Sequence, residues 1–193
     1  NWGLMKSRSR MLFIKLLAVC GAAVAINSTA APAVTHSFLG VGKANRVVIV
    51  GEDGKVQWRF DLPASDGWVL ANGNVLLAIY PTSGFPKGGV AEVDRKTRKI
   101  VWSYQGQQKE ISTVQPLAED RYLVAELGPQ PRAIVINRAG KILKSTPLAC
   151  QKKNAHMQTR MLRVLPSGNY IAPHLLDFSV KEYDPDSGKV LRS

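Results

Sequence analysis

Gly54-Lys55-Val56-Gln57-Trp58 decides how this chain is read, because it comes back three times. It returns as Arg98-Lys99-Ile100-Val101-Trp102, as Gly140-Lys141-Ile142-Leu143-Lys144 and as Gly188-Lys189-Val190-Leu191-Arg192, with the lysines spaced by 44, 42 and 48 residues. A second marker runs in phase with the first. Leu70-Ala71-Asn72-Gly73-Asn74-Val75-Leu76 is echoed by Leu117-Ala118-Glu119-Asp120-Arg121-Tyr122-Leu123 and by Leu165-Pro166-Ser167-Gly168-Asn169-Tyr170-Ile171, at spacings of 47 and 48. Two independent markers with one period identify an internal repeat, and the repeat governs the fold.

Each unit reads as four short strands. An apolar run ends at an Asn-Gly or Ser-Gly turn, where glycine supplies the positive φ a hairpin needs. A second strand follows, as in Val75-Leu76-Leu77-Ala78-Ile79. The third alternates, as in Gly89 to Asp94 and Val180 to Asp184, and an Asp- or Asn-led turn feeds the fourth strand with its Lys-Val/Ile pair. Four strands in roughly 45 residues match one blade of a β-propeller, which must bury its faces against neighbouring blades. A β-sandwich would not explain the phased period. The fold class is therefore all-β, a propeller of four-stranded antiparallel blades.

Counting blades sets an expectation about extent. Residues 34–193 supply 160 positions, about three and a half units, whereas closed propellers have about four to eight blades. The first unit, Phe38 to Phe60, lacks its innermost strand, and the last stops within its fourth. The reading is the N-terminal part of a longer propeller of six to eight blades, with open faces that favour association.

At this point the residues carry a resemblance. Asp94-Arg95-Lys96-Thr97-Arg98-Lys99-Ile100-Val101-Trp102 and Asp184-Pro185-Asp186-Ser187-Gly188-Lys189-Val190 resemble the D-x-x-(T/S)-G-K-V-x-W repeat of PQQ-like, quinoprotein-type β-propellers. Leu165-Pro166-Ser167-Gly168-Asn169-Tyr170-Ile171 is similar to a turn also found in arylsulfotransferase-type propellers. The resemblance covers roughly residues 38–193. It speaks for blade architecture more than for chemistry, and Trp58 and Trp102 are read as packing residues. Lys144 and Arg192 stand where the pattern has Trp, so those two blades depart from it.

The first 33 residues are read separately, as upstream residues and an export signal. Lys6, Arg8 and Arg10 precede the apolar stretch Met11 to Ile26, and the small residues Ala31-Pro32-Ala33 follow. Basic, apolar, then small is the order of a secretory signal peptide. The uncharged apolar run is too short to span a bilayer, so no transmembrane segment is expected. Leu17-Ala18-Val19-Cys20 has the outline of a lipobox, with Val19 a poor fit, and a lipoprotein is the rival fate. Either way the expected location is periplasmic or extracellular, in a bacterial envelope. Cleavage after Ala33 removes four cations, taking the formal charge of the 193-residue chain from +12 to +8 and leaving Cys150 as the single cysteine.

With 45% hydrophobic and 21% charged residues the chain has ordinary globular composition, which excludes wholesale disorder. The positive charge is spread over turns without interleaved aromatics, so nucleic acid is not the expected partner. An unidentified protein or a small anionic or glycan ligand is.

Candidate contacts are the irregular polar residues at the funnel end of the channel. Ile79, Glu126 and His174 share a register just after the second strand of successive blades, and Trp68, Gln115 and Arg163 share one on the innermost strand. The segment His156-Met157-Gln158-Thr159-Arg160 has no counterpart in the blade before it, and Glu126 and Arg132 flank a double-proline loop. Glu126, Arg132, His156, Gln158, Arg160 and His174 are the candidate ligand-binding set. The alternative is that they satisfy one another as a network between blades. No catalytic residue and no metal ligand is assigned, because no Ser-His-Asp order, nucleophile elbow or H-E-x-x-H is present. For a quinoprotein dehydrogenase the resemblance implies a cysteine pair and an acidic calcium set, and neither is visible, so no cofactor is expected and bound PQQ is unsupported. The expected function is a non-catalytic binding module of the cell envelope. A propeller enzyme of sulfotransferase, lyase or quinoprotein type, using a channel histidine such as His156 or His174, is the alternative.

Overall fold

A computed structural model describes residues 35–44 and 46–193, and the leader read from the sequence lies outside them. Fifteen strands form four antiparallel sheets. The first sheet has three strands, β1 (Phe38–Gly40), β2 (Val47–Val50) and β3 (Val56–Phe60). The second runs β4 (Ala64–Val69), β5 (Val75–Ile79), β6 (Gly89–Val93) and β7 (Ile100–Gln105). The third runs β8 (Glu110–Leu117), β9 (Arg121–Leu127), β10 (Arg132–Asn137) and β11 (Ile142–Pro147). The fourth is β12 (Arg163–Val164), β13 (Tyr170–His174), β14 (Ser179–Tyr183) and β15 (Val190–Arg192). Each sheet is one repeat unit, and among the described residues the first has three strands.

Period-2 side-chain alternation explains the packing. Along β5, Val75, Leu77 and Ile79 pack with Val47, Ile49 and Trp58 of the first sheet. The intervening Leu76 and Ala78 pack with Val114, Tyr122 and Val124 of the third. One strand thus feeds two cores, and β5 and β6 are buried at every position. The alternation expected in β6 is absent for that reason: a blade between two others has no solvent face. Each large aliphatic so buried contributes about 1.5–3 kcal/mol.

The outer sheets differ. In β2 and β13 buried and half-buried residues alternate, because only one face has a neighbour. Ile171, Pro173 and Val180 occupy the opposite face of the fourth sheet, and Val180 is 53% exposed.

Side chains stitch blade to blade. The Trp58 indole donates to the Arg95 carbonyl at 2.8 Å and Trp102 donates to that of Arg138 at 2.6 Å. Those carbonyls follow the Asp or Asn of the next blade's turn. Where the third blade has Lys144, its ammonium reaches Asp186 at 2.6 Å, and the Thr146 hydroxyl donates to the Pro185 carbonyl. The blade without Trp keeps the clasp with different chemistry.

Candidate functional site

The innermost strands β4, β8 and β12 run side by side without sharing a ladder, so their edge groups need partners. Side chains one register apart supply them. Asp66 Oδ2 accepts from the Val114 backbone N–H at 3.2 Å, and the Trp68 indole donates to the Val114 carbonyl at 2.6 Å. One blade on, Thr113 Oγ1 accepts from the Leu162 N–H at 3.3 Å and Gln115 Oε1 from the Val164 N–H at 3.0 Å. The shared register of Trp68, Gln115 and Arg163 is real: they pair with Leu76, Leu123 and Ile171. Arg163 breaks the pattern by reaching back. Its guanidinium grips Asp66 at two points, 2.8 and 2.9 Å, and lies 5.2 Å from the centre of the Trp68 ring.

Ile79, Glu126 and His174 also share one register, opposite Gly89, Arg132 and Ser179, but they lie within the second strands rather than after them. Glu126 is fully buried. Its cross-strand partner Arg132 holds it at 2.6 and 2.8 Å, the Gln107 backbone N–H donates to its other oxygen, and Arg132 also donates to Gln107 Oε1 at 2.9 Å. A carboxylate this buried persists because it is paired and hydrogen-bonded.

His174 and Gln158 are buried as well. Gln158 acts as an extra peptide group, accepting from the Gly128 N–H at 2.9 Å and donating to the Gly128 carbonyl at 2.8 Å. His174 Nδ1 lies 3.2 Å from the Gln158 carbonyl, which only accepts, so Nδ1 carries the proton. Nε2 then accepts from the Tyr183 hydroxyl at 2.6 Å. Burial lowers the His174 pKa below its usual value, which keeps the ring neutral in this arrangement.

His156 and Arg160 face a different space. His156 sits in a single 3-10 turn, Ala155–Met157, whose start is held by Asn154 Oδ1 accepting from the His156 N–H. Arg160 Nη1 meets Glu110 at 2.9 Å and His156 Nδ1 meets the same carboxylate at 3.0 Å. Arg160 also contacts His156 Nδ1, and that nitrogen can serve only one of the two partners at a time. Tyr80 closes the group: Arg160 and Lys43 lie 5.8 and 5.5 Å from its ring centre and the His156 ring is 5.7 Å away. Lys43, Tyr80, Thr82, Glu110 and His156 line an open cleft of about 450 Å³ with Pro63 and Pro81.

The six residues singled out from the sequence are thus divided. Glu126 with Arg132, and Gln158 with His174, form two internal clasps. His156 lines a cleft with Glu110, Tyr80 and Lys43, which sequence reasoning missed, and Arg160 backs it through Glu110 and the Tyr80 ring. Only the aromatic ring of Tyr80, at the end of a strand beside Pro81, carried a signal there. Asp66, Glu110 and Glu126 are each held by an arginine. Among the described residues no group of three or more His, Cys, Asp or Glu is arranged to hold a metal ion. Nor is any helix there long and apolar enough to cross a membrane.

Four-stranded antiparallel sheets packed face to face, with their first strands together at the centre, define a β-propeller. The chain belongs to the PQQ-like propeller family described as "Outer membrane protein assembly factor BamB", which matches residues 14–170. Among solved structures it is similar to a protein of unknown function from Bacteroides caccae, at 20% identity and a TM-score of 0.67, over 82% of this chain and 57% of that one. It is also similar to the WD40 β-propeller domain of Doa1, at 10% identity and a TM-score of 0.59, over 81% of this chain and 49% of that one. These likenesses concern the fold, and the chain spans roughly half the length of either protein. No curated protein matches the sequence.

Proposed function

We propose that this chain is part of an exported envelope propeller that binds a protein or an anionic ligand and does not transform it. The observation that carries the reading is the state of the polar groups at the funnel end. Glu126, Arg132, Gln158 and His174 are consumed by partners within and between blades. What lines the cleft is Lys43, Tyr80, His156 and Glu110; the Glu110 carboxylate is engaged with Arg160 and His156, which leaves Lys43 and the Tyr80 ring to meet an anionic or carbonyl-rich partner. The family's description, an assembly factor for outer membrane proteins, supports an envelope setting and a scaffolding role. The basic, apolar and small segments of residues 1–33 support export. Asp66, Glu110 and Glu126 are each engaged with an arginine rather than free to bind calcium, which supports a reading without a bound quinone.

Fractionation of cells making the full chain tests the reading. The protein is expected in the envelope fraction with a mass lacking the leader, and Lys43→Glu is expected to abolish partner binding. Cytoplasmic protein of full mass contradicts export.

One observation favours an enzyme instead. His156 is 35% exposed and backed by Glu110, an arrangement that can orient an imidazole for nucleophilic attack. Loss of turnover in His156→Ala with the fold intact would establish that reading.

A further inference from the structure

The opposite end of the blades carries a different cluster. In an antiparallel blade the turns after the first and third strands lie at one end, and the turn after the second lies at the other. The hairpin Asp94-Arg95-Lys96-Thr97-Arg98-Lys99, between β6 and β7, lies at the end away from the His156 cleft. It borders a larger cleft of about 860 Å³, together with Gln57, Trp58, Asn72, Gly73 and Asn74.

Three observations single this hairpin out. First, none of the ion pairs among the described residues uses Arg95, Lys96 or Arg98; the hairpins of the other three blades carry at most two cations each (Lys55; Arg138 and Lys141; Lys189), and of these Lys55 and Arg138 are paired. Secondly, the one carboxylate in the hairpin is occupied: Asp94 Oδ1 accepts from the Thr97 N–H and Oγ1, and these bonds hold its pKa below the usual carboxylate range.

Thirdly, Arg98 has φ 58°, and the corresponding residues of the other three blades are Gly54, Gly140 and Gly188 at φ 70–74°. The turn geometry is that of the fourth blade. Arg98 N–H donates to the Asp94 carbonyl at 2.8 Å as Gly188 N–H donates to that of Asp184 at 2.9 Å. Glycine is the residue this conformation favours, and an L-side chain there is disfavoured. A long cation occupies a position where the fold asks for no side chain, beside the larger cleft. Backbone conformations of that kind collect where function holds them.

We propose that the cleft between the first two sheets is a second binding site, specific for phosphate groups and built on Arg95, Lys96 and Arg98. Three cations on one turn give a phosphate its charge complement, and the guanidinium forks give it paired donors. Gln57, whose amide makes no hydrogen bond among the described residues, borders the same space. The site is independent of the His156 cleft.

Titration of the full chain with inorganic pyrophosphate at low and high salt tests this directly. Saturable binding that weakens with salt is expected. Arg98→Gly is expected to weaken it about fivefold or more while leaving the melting temperature equal or higher, because glycine relieves the turn. Arg95→Ala with Lys96→Ala is expected to abolish it, and Lys189→Ala, in the corresponding hairpin of the fourth blade, to leave it unchanged. Co-sedimentation with phosphatidylcholine vesicles containing phosphatidylglycerol then names the source: retention that pyrophosphate competes away identifies a lipid headgroup, and none identifies a soluble phosphoester. Absence of pyrophosphate binding, or binding that Arg98→Gly and the double variant leave intact, overturns the proposal.

Discussion

Asp66 and Arg163 are 97 residues apart and two blades apart, yet their side chains meet at 2.8 and 2.9 Å. Asp66 comes from β4 and Arg163 from β12, and the β8 backbone between them donates to the same carboxylate. The pair fixes three innermost strands with one charge contact. Its carboxylate is nearly buried, so its strength depends on both partners being present.

Arg163→Ala should therefore cost about 3 kcal/mol by leaving Asp66 buried and uncompensated. Urea unfolding measures this. Asp66→Asn with Arg163→Gln should cost less than the sum of the single changes, since each single change already breaks the pair.

The indole clasps should behave differently from the lysine clasp. Trp102→Phe removes the hydrogen bond to the Arg138 carbonyl and should cost about 1 kcal/mol beyond the packing lost. Lys144→Ala removes an exposed ion pair and should cost less than about 1 kcal/mol, and that small cost should vanish at high salt.

These clasps show how far the repeat was legible. The phase of Lys55, Lys99, Lys141 and Lys189 is enough to count sheets and place strands, because hairpin turns and outer strands are local features. The same locality hid the sites. Glu126 read as a residue just past a strand ending at Ala125, whereas Arg132 opposite it neutralises it and the strand runs on to Leu127. Asp66 and Glu110 carried no local signal, since their partners Arg163 and Arg160 reach them only when blades are stacked.

Stability should fall between the usual histidine pKa and more acid pH, and His174 should account for it. Burial lowers its folded pKa below 6.5, so the unfolded chain takes up the proton first. The stabilisation present above about pH 6.5 is then lost as pH falls towards the folded value. Urea midpoints at pH 7.5 and 5.5 should differ in the wild type and converge in His174→Gln. Glu92 adds a separate loss at lower pH. Asn74, Arg138 and Asn72 hold its pKa below 4.5 against the opposing effect of burial.

Cys150 should label slowly. Burial pushes its thiol up to about 11, with Asp177 adding to the effect, and the thiolate is the reactive form. In a Cys20→Ala background, a maleimide at pH 7.5 should modify the native protein far more slowly than the urea-unfolded chain. Equal rates would mean that Cys150 is not held as described.

A photo-crosslinking residue at Thr82, on the rim of the cleft formed by Lys43, Tyr80, Glu110 and His156, tests the binding account most directly. In intact cells making the full chain, irradiation should give a discrete adduct with an envelope component. Lys43→Glu, at an exposed lysine lining the cleft, should remove that adduct while the melting temperature stays within a few degrees. An adduct indifferent to this charge reversal, or no adduct from a folded and exported protein, would contradict the assignment of this cleft as the binding surface.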